Sequence, residues 1–448
     1  MDSKTIAEQL KSFIGTEVGR YTSWNPVNQP MIRQWCQALD DNNPLYERGF
    51  APPPMMMSWA LRDIHGRLAP GSSKVSPFAP LELLSRAGFT KVVAVSLEQS
   101  FDRYLRIDDE VSYISTISNI SERKTTRLGE GYYVTQQARY QDAVGEPVGQ
   151  MSFTVLAYKA NTEAQVPATA PVPAERHKWP RPLENHDSKF FWDGVREGEL
   201  RAQQCANGHL RHPPSPMCPI CQSLEWRPVE LSGRGSLHSY VIAHHPPIPP
   251  FRYPNPIGLV DLEEGIRFIA QLRDVRREDL QIGMPLEVFF EEVEPGLTLP
   301  HFRPAATIGR ADVKAGDSLA PLEIPITATL VVGGALATLD FEPIHHDHDA
   351  AVAAGAPDVI MNIITTSGLV SRYLTDRLGD EYRLDELKMR IAHPNCPGDR
   401  LILSATVAGV RNDGETRFID LEFRGDNREG NSVLGTAVLK ADPQGVIP

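Results

Sequence analysis

The sequence has no apolar stretch that approaches the ~20 residues of a membrane-spanning helix. Its first fifteen residues mix Lys4, Glu8 and Lys11 with apolar residues and lack the unbroken apolar run of a signal peptide. The sequence also lacks a cluster of positive charge. Its formal net charge is −12, and Lys and Arg are not clustered as phosphate contact requires. We therefore expect a cytoplasmic protein with no membrane and no nucleic-acid partner.

Cysteine is scarce but unevenly placed. The chain has five cysteines, and Cys205, Cys218 and Cys221 lie within seventeen positions of one another. In a reduced compartment such clustering favours a metal site over disulfides.

The length of 448 residues predicts about three domains. Hydrophobic residues make up 41% and charged residues 23%, which is ordinary for globular domains that bury a core. A Pro- and Ala-rich stretch over residues 160–182 and a less sharp one over 303–325 read as linkers. We predict domains at residues 1–160, 176–303 and 318–448.

A short motif occurs twice. The first copy reads Asp-Asn-Asn-Pro-Leu-Tyr over residues 41–46, and the second reads Asp-Phe-Glu-Pro-Ile-His over residues 340–345. Only the second copy has a His five residues after its Asp. An Asp and a His held by a Pro-containing turn can bind one water and transfer its protons, which is what hydration of an activated double bond requires. The chain therefore reads as two related halves, of which one is active.

The first and third domains follow one plan, with helical spacing before strand-like alternation. In the first, the predicted helices are 6–13 and 29–39 and the predicted strands are 92–101, 110–120, 129–141 and 149–160. In the third, we predict a strand over 326–332, a helix over 359–378 and strands over 387–393, 400–411, 416–425 and 431–441. The middle domain has a helix-like start over 190–200 and several short strands, which indicate a small barrel.

The third domain resembles the MaoC-type (R)-specific enoyl-CoA hydratases of the hot dog fold. It matches their signature at Asp340, Pro343, Ile344 and His345, and at the later turn of Pro397, Gly398 and Asp399, whereas Glu342 stands where the family has Asn. The resemblance implies that Asp340 and His345 hold the water. It also implies that a backbone amide at the start of the 359–378 helix, with Asn362 as the candidate, receives the thioester oxygen.

The first domain resembles a degenerate member of the same superfamily, of the FAS1-type dehydratase kind. Tyr46 occupies the His position, and a phenol with a pKa of about 10 does not readily take up a proton near neutrality. We expect this half to shape the substrate pocket; a Tyr-based second site is the alternative. His346, Asp347, His348 and Asp349 suggest a metal site, but we expect a solvated helix start because adjacent residues rarely point inward together.

In the middle domain, Cys218 and Cys221 form a Cys-x-x-Cys knuckle, with Cys205 and His209 upstream. Zinc takes four tetrahedral Cys and His ligands, so His209 is the expected fourth ligand and His212 the alternative. Gly208 stands where a second Cys-x-x-Cys pair would end, which leaves open a knuckle that has lost its metal. This domain resembles the rubredoxin-like zinc ribbon plus OB-fold family, and the resemblance implies docking of a thiolase-fold aldolase.

The predicted fold class is therefore α+β, with two hot dog domains that flank a rubredoxin-like zinc ribbon plus OB-fold β-barrel. This order resembles the hydratases of bacterial steroid side-chain degradation, whose two hot dogs are often separate subunits. The resemblance implies an enoyl-CoA hydratase with structural Zn²⁺, whose substrate is a bulky coenzyme A thioester and whose product passes to the aldolase. We also expect a homodimer. The alternatives are a noncatalytic acyl-CoA-binding scaffold and a dehydratase of a fatty or polyketide acyl thioester.

Overall fold

The computed structural model describes residues 3–126, 128–160, 179–246, 248–251, 253–273, 275, 277, 280–305, 313–379, 381–414 and 416–441. These residues form two compact units, one within 1–168 and 310–448 and the other within 169–309. None of the helices in these ranges has the length and apolar character needed to cross a membrane.

The larger unit consists of two halves with matching elements. The first half contains α1 (Ser3–Lys11), β1 (Glu17–Thr22), α2 (Gln29–Leu39), α3 (Pro44–Glu47), a 3₁₀ helix (Pro53–Ala60), α4 (Ala79–Arg86), β2 (Lys91–Phe101), β3 (Ser112–Ile120), β4 (Lys124–Thr126), β5 (Gly129–Gln141) and β6 (Pro147–Ala160). The smaller unit, described below, contains α5 and β7 to β14. The second half contains β15 (Ser318–Pro325), α6 (Ala328–Ala337), a 3₁₀ turn (Pro343–His345), α7 (His348–Ala353), α8 (Ile363–Leu378), β16 (Tyr382–Ile391), β17 (Arg400–Asp413), β18 (Thr416–Asn427) and β19 (Gly430–Ala441).

The two halves have the same strand order. The sheet runs β1-β3-β5-β6-β2 in the first half and continues as β16-β19-β18-β17-β15 in the second, with β4 paired to β5. If the five main strands of each half are numbered along the chain, both halves read 1-3-4-5-2 from their outer edge. The internal repeat predicted from the motif is therefore present in the whole architecture.

The halves meet at the second strand of each. Residues 96–100 of β2 pair antiparallel with residues 386–390 of β16, and Leu97 lies opposite Met389. Leu97, Leu387 and Met389 are all buried, so this seam is part of the apolar core. The chain pairs its own two hot dogs edge to edge, as expected for a fused pseudo-dimer.

One predicted strand is wrong. Residues 326–332 are rich in β-branched residues, but from Ala328 they form the start of α6. The Thr327 side chain caps this helix by accepting a hydrogen bond from the Leu330 N–H at 3.0 Å. Gly334 allows close packing on α8, since a Cβ there would lie 2.4 Å from Thr365 Oγ1. Packing against neighbouring helices therefore overrides the local strand propensity.

Several boundaries also differ from prediction; the strand predicted over 387–393, for example, is Tyr382–Ile391. The helix predicted from residue 359 begins at Ile363, because Asn362 caps it and Met361 donates its N–H to the Asn395 carbonyl outside the helix. The second linker, predicted over 303–325, is in part the strand β15, which pairs with β17. Residues 306–312 lie outside the described residues.

The smaller unit begins with α5 (Lys189–Glu197) and a three-stranded sheet of order β8-β7-β9. These strands are β7 (Arg201–Cys205), β8 (Leu210–Arg211) and β9 (Trp226–Glu230). A five-stranded sheet of order β12-β11-β10-β13-β14 follows, formed by β10 (Arg234–Ala243), β11 (Asn255–Leu262), β12 (Arg267–Gln271), β13 (Pro285–Glu294) and β14 (Leu297–Pro304). A bridge between Leu272 and Phe302 links its two ends and closes the predicted barrel.

Candidate active site and metal site

The two copies of the motif have the same backbone turn. Leu339 and Asp40, each directly before the motif's Asp, both adopt the left-handed conformation, with φ of 57° and 53°. The Asp340 N–H bonds to the Ala335 carbonyl at 3.0 Å, and the Asp41 N–H bonds to the carbonyl five residues upstream at 2.9 Å. Each turn thus ends a helix and presents its Asp in the same way.

In the second copy, this turn brings Asp340 and His345 together. His345 Nε2 lies 3.4 Å from Asp340 Oδ2, and the side chains are 10% and 20% exposed. His345 Nδ1 lies 2.7 Å from the Ile360 carbonyl oxygen. Because a carbonyl can only accept, Nδ1 carries a proton and Nε2 is the atom that exchanges protons beside Asp340.

The surroundings of His345 raise the pKa of its imidazole above the ordinary 6.5. Burial alone would lower this pKa, but the hydrogen bond and charge of Asp340 outweigh it, and the Ile360 carbonyl and the charge of Glu342 act in the same direction. The pair therefore favours an imidazolium next to a carboxylate.

The Glu342 side chain does not make the capping hydrogen bond that its counterpart Asn43 makes. In the first copy, Asn43 caps α3 by accepting the Leu45 N–H at 3.0 Å. Glu342 has the same backbone conformation but makes no capping bond with its side chain. It contributes negative charge near His345 instead.

The Asn362 side chain is the N-cap of α8. Its Oδ1 accepts the Thr365 N–H at 2.7 Å and its Nδ2 donates to Thr338 Oγ1 at 2.7 Å. The side chain is thus held in place as the cap, with one of its two amide hydrogens donated to Thr338, and the backbone N–H groups of the first turn are the candidate donors to an oxyanion. The first N–H groups of a helix lack intrahelical acceptors, and those of Ile363 and Ile364 have no recorded partner within the described residues.

In the first copy of the motif, the Asp and Tyr side chains are buried away from solvent. Tyr46 is 3% exposed, and burial raises the pKa of its phenol well above the ordinary value. Asp41 is equally buried, which raises the pKa of its carboxyl to about 7. A phenol in this setting does not accept protons near neutrality, which agrees with the expectation that this half lacks the acid–base cycle.

The polar residues after His345 form a helix start. Asp347 caps α7 by accepting the Ala350 N–H at 3.0 Å, and His346, His348 and Asp349 are exposed. Among the described residues, potential metal ligands converge elsewhere, at Cys205, His209, Cys218 and Cys221.

The ligand atoms of these four residues all lie within 4.8 Å of one another. Cys205 Sγ is 3.6 Å from Cys221 Sγ and 3.5 Å from His209 Nδ1, and Cys218 Sγ is 3.7 Å from the same nitrogen. A tetrahedron with Zn–S bonds of about 2.3 Å has edges of about 3.8 Å. The donor set and its spacing therefore fit one structural zinc ion held by three thiolates and an imidazole.

Backbone N–H groups of the knuckle assist the thiolates. They lower the pKa of Cys218, and the N–H of Ser223 is the main reason that the pKa of Cys221 falls to about 7. Desolvation raises the pKa of Cys205 instead. Two of the three thiols are thus prepared for a metal ion by the fold itself.

His212, the alternative fourth ligand, lies outside the group. Its ring stacks on Phe268 with centroids 4.3 Å apart, and burial lowers the pKa of the imidazole to about 4. It is part of the apolar core between α5 and the barrel. Spacing alone could not separate His209 from His212.

The sequence reasoning did not find three groups that shape the site. The Ile360 carbonyl orients His345, Thr338 holds Asn362, and Arg372 ties α8 to the first half. Only the Asn362 cap has a local signal, a polar residue directly before a helical pattern.

Two edge-paired hot dogs with one Asp–His pair, together with a zinc ribbon and a small barrel, define a MaoC-type hydratase or dehydratase with an additional ribbon-and-barrel unit. Family models match three parts of the chain: the ChsH2 rubredoxin-like zinc ribbon domain at residues 192–227, the ChsH2 C-terminal OB-fold domain at 228–291 and the MaoC-like domain at 313–422. The chain belongs to the enoyl-CoA hydratase α-subunit family. The resemblances and the fold class predicted from the sequence are thereby confirmed.

Three relatives illustrate the match. A probable enoyl-CoA hydratase α subunit of Thermomonospora curvata is 35% identical over 68% of this chain and 98% of its own length. A 3-oxo-4,17-pregnadiene-20-carboxyl-CoA hydratase α subunit of Mycobacterium tuberculosis is 36% identical over 59% of this chain and 87% of its own length. A DUF35 domain-containing scaffold protein of Pyrococcus furiosus is 39% identical over 24% of this chain and 85% of its own length.

Proposed function

We propose that this protein adds water across the 2,3-double bond of a bulky enoyl-CoA, with Asp340 and His345 as the catalytic pair. The observation that carries the proposal is the 3.4 Å contact between these side chains, which are mostly buried at the end of a turn that the other half repeats without a His. The family to which the chain belongs supports the same reaction.

The chemistry balances within this pair. The Asp340 carboxylate accepts one proton from the water as its oxygen bonds to Cβ, and the imidazolium of His345 gives its Nε2 proton to Cα. The carboxylic acid and the neutral imidazole that result restore themselves by proton transfer across the contact. Each such group typically contributes ~10²–10⁴ to the rate.

The start of α8 is suited to the thioester oxygen, which gains negative charge as Cβ is attacked. The backbone N–H groups at residues 362–364 lie at the positive end of the helix dipole. Asn362 serves this role through its backbone and through the cap that fixes the first turn.

A bulky acyl group fits the asymmetry of the two halves. Between its motif and its second strand, the second half has the 16-residue helix α8, whereas the first has only short helices, among them the eight-residue 3₁₀ helix that starts at Pro53. The relative from M. tuberculosis is named for a steroid-type CoA ester, and we infer the same substrate class here.

The decisive experiment uses the purified protein with a steroid-type and a straight-chain 2-enoyl-CoA and detects a mass gain of one water. We expect the wild type to hydrate the bulky ester, and Asp340→Asn and His345→Ala each to lower the rate of hydration by ~10²–10⁴. Hydration of neither ester by the wild type would favour the noncatalytic scaffold, and preference for the straight chain would favour a fatty or polyketide substrate.

We further propose that the zinc ribbon and barrel bind a thiolase-fold aldolase that receives the β-hydroxyacyl-CoA. One relative of part of the chain is named a scaffold protein. The outer face of β10 to β12 exposes Val241 by 63% and Ile269 by 68%, and Leu259 lies opposite Ile269 on the same face. Val241→Asp with Ile269→Asp is expected to abolish co-purification with the aldolase and to leave hydration unchanged.

We assign the domains to residues 1–160, 176–303 and 318–448, since the zinc-ribbon and OB-fold models fall within the second and the MaoC-like model, at 313–422, covers most of the third. We place the protein in the cytoplasm, where thiols stay reduced, because three cysteines converge in a thiolate site. A homodimer stays a prediction, and light scattering of the purified protein tests it.

A further inference from the structure

Helix α8 holds the ends of two other helices, one from each half. At its first turn, Asn362 Nδ2 donates to Thr338 Oγ1, directly after α6 and two residues before Asp340. Ten residues later, Arg372 Nη1 donates to the Leu39 carbonyl at 2.7 Å, at the end of α2. At a rise of 1.5 Å per residue, the two attachments are about 15 Å apart along the helix.

The attachment to the first half joins a mostly buried guanidinium to the part-buried Leu39 carbonyl and to the Asp40 carboxylate, whose side chain is 76% exposed. Arg372 Nη2 also donates to Asp40 Oδ2 at 2.8 Å, and the Arg372 side chain is 16% exposed. Asp40 is the left-handed residue directly before Asp41, so the guanidinium binds the turn of the degenerate motif itself. A second bond to the Leu39 carbonyl fixes the guanidinium plane, since Arg presents its donors in a rigid fork.

Close packing accompanies this attachment. Gly368 lies against α2, because a Cβ at this position would be 2.2 Å from Leu39 Cδ2 and 2.6 Å from Trp35 Cζ2. Trp35 is completely buried. The backbone of α8 at Gly368 thus lies so close to α2 that only Gly, which has no side chain, fits there.

We propose that Arg372 is a positioning residue for hydration and that the degenerate motif now serves as the anchor of the catalytic helix. The inference rests on the proposed function. Ile360, whose carbonyl orients His345, lies only two residues before the Asn362 cap, so a shift of α8 moves both the oxyanion amides and the imidazole. This role explains why the first copy of the motif retains its turn, although Tyr46 cannot do the chemistry of a His.

The test compares Arg372→Met with Arg377→Met. Arg377 is on the same helix and donates to the Ala320 carbonyl at 2.7 Å and the Pro321 carbonyl at 2.9 Å, both within the second half. We expect both variants to unfold at lower temperature. Only Arg372→Met is expected to lower kcat, by about tenfold to a hundredfold as for misplaced reacting groups, with KM within about twofold of the wild type.

A double-mutant cycle and a conservative variant define the contact further. Asp40→Ala is expected to reproduce the loss in kcat, and Asp40→Ala with Arg372→Met to add little to it, since residues in one contact are not additive. Arg372→Lys is expected to recover part of kcat, because an ammonium can reach only one of the two acceptors well. Equal stability losses in the two Met variants, with wild-type kcat in both, would overturn the proposal.

A second readout separates this inference from the proposed function. The pKa of His345, followed by NMR, is expected to fall in Arg372→Met and to stay unchanged in Arg377→Met. If the wild type hydrates no ester, the reaction is refuted, but this titration still tests the anchor. An unchanged His345 pKa in Arg372→Met, together with unchanged kcat, would show that Arg372 contributes only to stability.

Discussion

Replacing Asp340 by Asn removes the charge beside His345 and retains the size of the side chain. The structure predicts that the pKa of His345 then falls below the ordinary 6.5, because burial, which lowers it, is no longer outweighed by the carboxylate. The Asn amide also donates hydrogen bonds, which favours the neutral imidazole.

The size of the change follows from the 3.4 Å separation of Nε2 and Oδ2. Coulomb's law gives about 1 kcal/mol at this distance with the dielectric constant of water and about 5 kcal/mol at an effective value near 20. The site lies between these limits, since the Asp340 side chain is 20% exposed. We therefore expect loss of the carboxylate to destabilise the imidazolium by an energy between these two figures, about 1 and about 5 kcal/mol, and to lower the pKa of His345.

The assay is an NMR titration of His345 in the wild type and in Asp340→Asn, with His212 as an internal control. His212 stacks in the apolar core of the other unit and has a pKa near 4, so its titration is expected to be the same in both proteins. The hydration rate is expected to fall by ~10²–10⁴. A His345 pKa that does not change in Asp340→Asn would refute the ion pair and the proton cycle built on it.

Three further predictions concern zinc, packing and pH. Cys218→Ser with Cys221→Ser is expected to remove zinc, measured by elemental analysis, and partner binding while hydration continues; loss of hydration would show that the two units depend on each other. Gly368→Ala is expected to lower the free energy of unfolding by about 1–3 kcal/mol through overpacking. Gly333→Ala, where a Cβ has open space, is expected to raise it by roughly 0.5–1 kcal/mol. Thermal unfolding measures both effects, and equal shifts in Tm would contradict the packing argument. The folded state raises the pKa of His345. The protonated imidazole therefore stabilises the fold fully below pH ~6.5, and this stabilisation is lost as the pH rises through the folded-state pKa. The difference in Tm between the wild type and His345→Gln is expected to shrink over the same pH range.

Local patterns predicted much of the fold. Helix α2 spans the predicted residues 29–39, with Asn28 as its cap and a Pro in its first turn. The strand at 129–141 alternates between buried and more exposed residues over most of its length, as its sequence suggested. The segment at 326–332 was misread because its preference for a helix depends on Gly334 and Thr365, which only the folded chain brings together.

The candidate site likewise combines features that local sequence predicts with contacts that only the folded chain creates. The pairing of Asp340 with His345 follows from five-residue spacing and a Pro turn, which are local. Arg372 and Leu39 are 333 positions apart in the sequence, and no local pattern indicates their contact. The choice between His209 and His212 likewise depended on Phe268, which provides a stacking partner for the second ring far along the chain.

The seam between β2 and β16 has a consequence for how the two hot dogs stay together. Two separate subunits come apart on dilution, and their pairing depends on the concentration of each. Here both partners belong to one polypeptide, so their association is intramolecular and has a fixed one-to-one stoichiometry at any protein level. The catalytic half is therefore always matched to a degenerate partner and cannot be outcompeted by a second catalytic copy under dilute conditions.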